Sequence, residues 1–184
     1  MANLIKLDTL EYPVSTMEFF NRHKQTSFPQ TFSMWDEFGY AVVFPAPPPA
    51  FDPITQYARE IAPVLTPLGT YQQAYEIIAL DADAIAANQA RAQEQLIAAI
   101  TAQTQARLDA FAQTRNYDNI LSACTYASSA VLKFQTEGQY CVNKRDETWA
   151  GLYAIMAAVQ AGTRAMPSGY SAIEGELPVL EWPA

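Results

Sequence analysis

The chain is expected to fold as an α+β protein. A β-rich, partly extended N-terminal region leads into a long alanine-rich helix, and a C-terminal antiparallel helical hairpin with an extended tail follows. Three observations predict this. Nine of the twelve prolines lie between Pro13 and Pro67, and none between Leu68 and Met166. Proline lacks the amide donor and interrupts helices, so the first part should hold strands and turns while the middle is open to long helices. Alanine, the best helix former, takes 13 of the 38 positions from Glu76 to Gln113. Beyond Asp118, apolar residues recur at helical spacing on two successive segments. The regions drawn from this are 1–80, an attachment region of strands and extended chain, 81–113, the long helix, and 114–184, the hairpin with its tail.

In the first region, residues 4–7 read as a short strand. Ser15-Thr16-Met17-Glu18 has capping-box spacing, in which hydroxyl and carboxylate satisfy each other's orphan amides, and a short helix through Phe19 and Phe20 should follow. Residues 39–44 are rich in β-formers and stop at Pro45. Ala46-Pro47-Pro48-Pro49 is extended, polyproline-like chain, a stiff spacer or arm. Residues 56–62 and 70–78 flank Thr66-Pro67-Leu68-Gly69, whose Pro and Gly suit the turn of a hairpin. The aromatic series Phe28, Phe32, Trp35, Phe38, Tyr40, Phe44 and Phe51 allows two readings: the small core of an α+β module, or a docking surface for another chain.

In the second region Asp81 can cap the helix and Asp83 suits its positive end. Ile97, Ile100, Thr104, Leu108 and Phe111 form one apolar stripe. So thin a helix has too little apolar surface to stand alone in water. Ile78, Ile85, Ala92, Ala99 and Ala106 fall seven apart, with Ala82, Gln89, Leu96, Gln103 and Ala110 four after each, an imperfect heptad frame. The helix could pack on the third region of its own chain, or join sister chains in a parallel bundle of three; the second reading takes Ile78, Ile85, Ala92, Leu96, Ala99 and Ala106 as its seam.

In the third region Asp118 can cap a helix carrying Ile120, Leu121, Cys124, Ala127, Val131 and Phe134. Gln135-Thr136-Glu137-Gly138 reads as the hairpin turn. A second helix from Gln139 presents Trp149, Leu152, Met156 and Val159 on one face, and Gly162 and Pro167 end it. The tail, carrying Leu177, Val179, Leu180 and Trp182, should lie across the helices. In this hairpin Cys124 and Cys141 stand about 12 Å apart along the axes, too far for a disulfide, so both are expected as free, buried thiols.

Composition narrows the chemistry. Eleven Lys/Arg against nineteen Asp/Glu give a net charge of −8, which argues against a nucleic-acid or anionic-membrane surface. The single histidine, His23, lies in a polar run and is expected at the surface. No phosphate loop, HExxH or CxxC motif occurs. No enzyme activity, cofactor or metal site is therefore expected, and no leader or membrane-spanning stretch is evident.

The runs Phe111-Ala112-Gln113-Thr114-Arg115-Asn116-Tyr117-Asp118, Phe134-Gln135-Thr136-Glu137-Gly138-Gln139-Tyr140-Cys141 and Arg145-Asp146-Glu147-Thr148-Trp149, extended by Pro167-Ser168-Gly169-Tyr170 and Leu177-Pro178, resemble the C-terminal helical module of tail-fibre-associated proteins of tailed bacteriophages. Ser27-Phe28-Pro29, Gly39-Tyr40 and the strand at 70–78 are more loosely similar to small phage tail proteins. The resemblance implies a virion component of a tail, attached to a fibre or baseplate and assembled in the host cytoplasm, with other tail proteins as partners. The alternative it implies is a fibre-assembly chaperone that leaves the finished particle. It carries over no catalytic residue. Phe28, Phe32, Trp35, Tyr140 and Tyr170 are the side chains expected to meet partners, because aromatic rings combine a flat apolar body with, in Tyr and Trp, a polar tip. Receptor binding or glycan cleavage draws little from the sequence: cleavage needs two carboxylates poised across a cleft, and the acids here are scattered.

Overall fold

The structure is a computed structural model that describes residues 3–29 and 31–183. It is mixed α+β, 48% helix and 18% strand, and it divides into two units, Met1–Gln89 and Ala90–Ala184. The division falls inside the long helix, whereas the proline map draws its lines at residues 80 and 113.

The first unit is a five-stranded sheet with one short helix. Strands β1 (Asn3–Lys6), β2 (Glu11–Ser15), β3 (Tyr40–Phe44), β4 (Gln56–Leu65) and β5 (Tyr71–Ala79) lie in the order β2-β1-β3-β5-β4. All neighbours are antiparallel except β3 and β5, which run parallel and pair only at Val43–Tyr71 and Phe44–Gln72. The sheet curls, so that Tyr12 on one edge strand donates a hydrogen bond to Glu60 on the other. Helix α1 (Thr16–Arg22) starts at Ser15, whose hydroxyl accepts from Glu18 N at 3.1 Å. Only this half of the capping box forms, because Arg22 draws the Glu18 carboxylate away (2.5 Å) and also grips Glu11 with two bonds of 2.6 Å.

The buried residues Leu4, Val14, Phe19 and Tyr40 form the core of this unit. Phe19 is its hub. The rings of Phe28, Phe32, Trp35, Phe38 and Tyr40 all have centroids within 5.0–5.7 Å of it, mostly edge-on, as ring quadrupoles prefer. His23 joins them at 4.7 Å from Phe19. The expectation of a surface histidine is thus corrected: its polar neighbours point outward while α1 carries its own ring onto the aromatic core.

In the second unit, α2 (Ala82–Gln113, shared across the division), α3 (Ile120–Thr125) and α4 (Leu132–Gln160) make the scaffold. Asp81 caps α2 by accepting from Ala84 N at 2.8 Å. Ile100, Thr104, Leu108 and Ala112, one residue per turn, form the buried stripe. Ile100 packs with Leu152 and Ile155, and further along Leu108 and Ala112 pack with Cys141, so α2 and α4 run antiparallel. In the connection, helix α3 and the turn at 126–128 pack on α4, as the sequence leads one to expect, and α2 joins α4 through the shared apolar clusters.

Two expectations about this connection are corrected. The cap of α3 is Asn119, which accepts from Ser122 N at 2.8 Å, in place of Asp118. Residues 135–138 lie inside α4 instead of forming a turn; the chain reverses at residues 129–131, leaving Val131 and Phe134 substantially exposed. Gly138 is needed for space and not for a turn. A Cβ there would lie 2.3 Å from Ala127 N and 2.5 Å from the Tyr126 carbonyl carbon, so the 3₁₀ turn Tyr126–Ser128 can seat on α4 only at a glycine.

On helix propensity alone Gly138→Ala would stabilise α4 by about 1 kcal/mol. The clash is with backbone, which cannot swing away, so the substitution is expected to destabilise the protein by about 2 kcal/mol or more. Urea denaturation of the variant checks this, and a raised midpoint would contradict it.

Candidate functional site

The residues expected to mediate assembly are dispersed by the fold. Ile78 lies in β5, outside the helix, so the heptad frame loses its first member. Ile85 and Leu96 are half-buried, while Ala92, Ala99 and Ala106 are exposed. With 3.6 residues per turn, Ala99 and Ala106 stand about 140–160° around α2 from Thr104 in the middle of the buried stripe. Helix α2 thus carries two faces, one closed by its own chain and one of alanines open to solvent.

Phe28, Phe32 and Trp35 are half-buried around Phe19, which favours the core reading of the aromatic series over the docking one. Phe44 stands apart from that cluster, half exposed on β3. Tyr140 and Tyr170 also turn inward. The Tyr140 hydroxyl accepts from Glu181 N at 2.8 Å, and Tyr170 packs against the cluster of Ile100, Leu152 and Ile173. Tyr140 thus binds the end of the tail, and Tyr170 packs its start onto the helices.

The tail itself is docked, as its apolar residues demand. Ile173 and Leu177 are buried, and Arg107 donates to Pro178 O at 2.8 Å. Trp182 stacks on Phe111 with centroids 4.3 Å apart and donates its indole N–H to Thr114 Oγ1 at 2.8 Å. The Arg115 guanidinium lies over the indole, 4.9 Å from its centroid, and donates to Pro183 O.

A buried charge cluster that the sequence pattern did not disclose holds this end together. Asn116 adopts the left-handed conformation, φ 64°, which Asn tolerates better than most residues. The chain thereby turns back after α2 and carries Tyr117 toward α4. Glu137, only 3% exposed, accepts there from Arg115 on one oxygen and from the Tyr117 hydroxyl at 2.7 Å on the other. Burial opposes ionisation of Glu137, but these two hydrogen bonds and the adjacent guanidinium outweigh it, so its carboxyl titrates below the usual carboxylate range. Burial first, and the carboxylate second, push the Tyr117 hydroxyl up to about 12. A cleft of about 480 Å³ opens beside the cluster, walled by Tyr126, Lys133 and Phe134. With both carboxylate oxygens engaged, Glu137 acts as a clamp between α2, α4 and, through Arg115, the tail.

Cys124 and Cys141 are free thiols bordering one apolar cluster, and burial raises both, Cys141 to about 12. The axial separation expected for a turn at 135–138 does not apply, because those residues are helical and the chain reverses earlier, yet the two thiols remain unbonded. Among the described residues no group of three His, Cys, Asp or Glu could hold a metal, and no helix is long and apolar enough to cross a membrane. Comparison with protein families, with curated proteins and with solved structures finds no match.

Tyr117→Phe removes one hydrogen bond to a buried carboxylate and is expected to cost about 1.5–3 kcal/mol at neutral pH. The native Tyr117 pKa is raised, so its contribution is complete below the ordinary value of 10.0 and is lost as pH rises toward about 12. The stability gap between wild type and Tyr117→Phe should therefore be level to pH 10 and narrow above it. Glu137, held low, has the opposite sign: the gap between wild type and Glu137→Gln should narrow as pH falls below 4.5. Denaturation at a series of pH values tests both, and a gap that does not change with pH would contradict the assignment.

Proposed function

We propose that this chain is a structural component of a bacteriophage tail, fibre- or baseplate-attached, that works by protein–protein assembly and forms a parallel trimer through the outer face of α2. What supports this reading is the alanine face formed by Ala92, Ala99 and Ala106, which remains open after the chain has closed its own apolar stripe. Small side chains let helix backbones approach closely, and the seven-residue spacing keeps the three alanines facing one partner. Leu96 adds a larger side chain at the edge of that face, and the glutamines between the alanines would hold register at some cost in stability. The aromatic N-terminal unit, with its exposed Pro47-Pro48-Pro49 segment, is the part that would meet neighbouring tail proteins.

The sequence likeness to phage tail proteins supplies the setting, and the open face supplies the physical reason for more than one copy. Sedimentation equilibrium across a wide concentration range tests it. A mass of three chains is expected, reduced toward one chain by Ala99→Glu, which would place like charges at the centre of the bundle. A monomer at every concentration would overturn the trimer. Retention in purified particles separates a structural part from an assembly chaperone: a structural part stays.

A further inference from the structure

We propose that the shallow groove where α2, α3 and α4 meet in the second unit binds a neutral saccharide. The groove has a volume of about 510 Å³, in the size range of small-ligand sites. Trp149 and Tyr153, one turn apart on α4, supply two aromatic surfaces with centroids 5.9 Å apart and planes inclined by 31°. Tyr153 is two-thirds exposed, and Leu121 of α3 faces the groove more than half exposed. Such area is costly to leave in water unless something covers it.

The polar lining narrows the occupant. Arg145 and Asp146 meet through a single long contact of 3.4 Å, which leaves most of the guanidinium N–H groups and a carboxylate oxygen unused. Gln105 spends its amide N–H on Asp109 at 2.9 Å, so its oxygen remains an acceptor. Among the described residues nothing accepts from the Trp149 indole or the Tyr153 hydroxyl, which meet each other only as rings. The lining therefore offers one positive charge, one negative charge and several donors and acceptors around an aromatic wall.

Each alternative occupant meets a physical objection. An anionic ligand would face Asp146 and a chain of net charge −8, and nucleic acid would meet the same repulsion along its phosphates. An apolar helix would strip water from Arg145 and Asp146 without giving them new partners. A pyranose ring avoids all three costs. Its C–H face lies against indole or phenol, and its paired hydroxyls suit the two-pronged guanidinium, carboxylate and amide. Asp146 is the one carboxylate in the lining, so the groove binds without hydrolysing, since cleavage requires two. The inference does not depend on self-association, because none of these residues belongs to the alanine face.

Maltotriose, cellotriose and chitotriose, titrated by calorimetry and followed through tryptophan indole resonances of the full chain, test the proposal. At least one should bind and shift the Trp149 signal while leaving Trp35 and Trp182 in place. Trp149 also packs on the core, so the variant of choice is the exposed Tyr153→Ala, which should weaken binding roughly tenfold with an unchanged melting temperature. The proposal is overturned if none of the three binds at about 10 mM. It is equally overturned if Tyr153→Ala binds with unchanged affinity, or if an acidic sugar such as sialyllactose binds more tightly than every neutral one.

Discussion

Antiparallel packing of α2 on α4 governs the second unit, and a buried carboxylate sets how closely the two approach at their connected end. Glu137 can sit 3% exposed only because Arg115 and Tyr117 reach it from the turn after α2. Removing any one partner would leave a charge or a polar group uncompensated in a low-dielectric setting, which is far costlier than the pair is favourable. The next residue, Gly138, admits the turn at 126–128 against the helix. Two adjacent positions, one electrostatic and one steric, thus decide where α4 begins its contact with the rest of the unit.

The tail follows from that arrangement. Trp182 finds its place because Phe111, Thr114 and Arg115 are presented together at the end of α2, and Tyr140 on α4 receives the Glu181 amide. In place of the fully extended chain expected, the tail forms two single 3₁₀ turns, Tyr170–Ala172 and Glu174–Glu176, and beyond them its order comes from side chains inserted between helices and from hydrogen-bonding groups waiting at their surface. Arg107, Arg115 and Tyr140 play that part, while Ile173 and Leu177 bury the apolar surface that holds the segment down. All this closes one face of α2, and its alanines on the far side stay exposed.

Much of this was legible in the residues. Local rules located the strands at 4–7 and 39–44, the hairpin around Thr66-Pro67-Leu68-Gly69, the Asp81 cap and the stripe through Ile100, Thr104 and Leu108, because each depends on neighbours within a turn or two. The errors share one cause. Along the chain Gly138 reads as a turn signal, whereas its reason is a contact eleven residues away, and polar neighbours put His23 at the surface, whereas distant rings claim it. Nothing along the chain signals that Tyr140 receives the Glu181 amide, 41 residues away, or that Tyr170 packs on the cluster of Ile100 and Leu152. The Glu137 cluster carries no signal at all along the chain, since its three members come from a helix end, a left-handed turn and the first turns of another helix.

In the proposed trimer the outer face of α2 is an interface between copies. A nitroxide at Ala99, in a chain whose native cysteines are replaced by alanine, reads that face directly. Pulsed dipolar spectroscopy should give a single short distance between labels, on the order of 10–20 Å, as expected for equivalent positions on helices packed 8–10 Å apart with flexible labels. Labels at Ala99 that show no dipolar coupling between chains at high protein concentration would contradict the account.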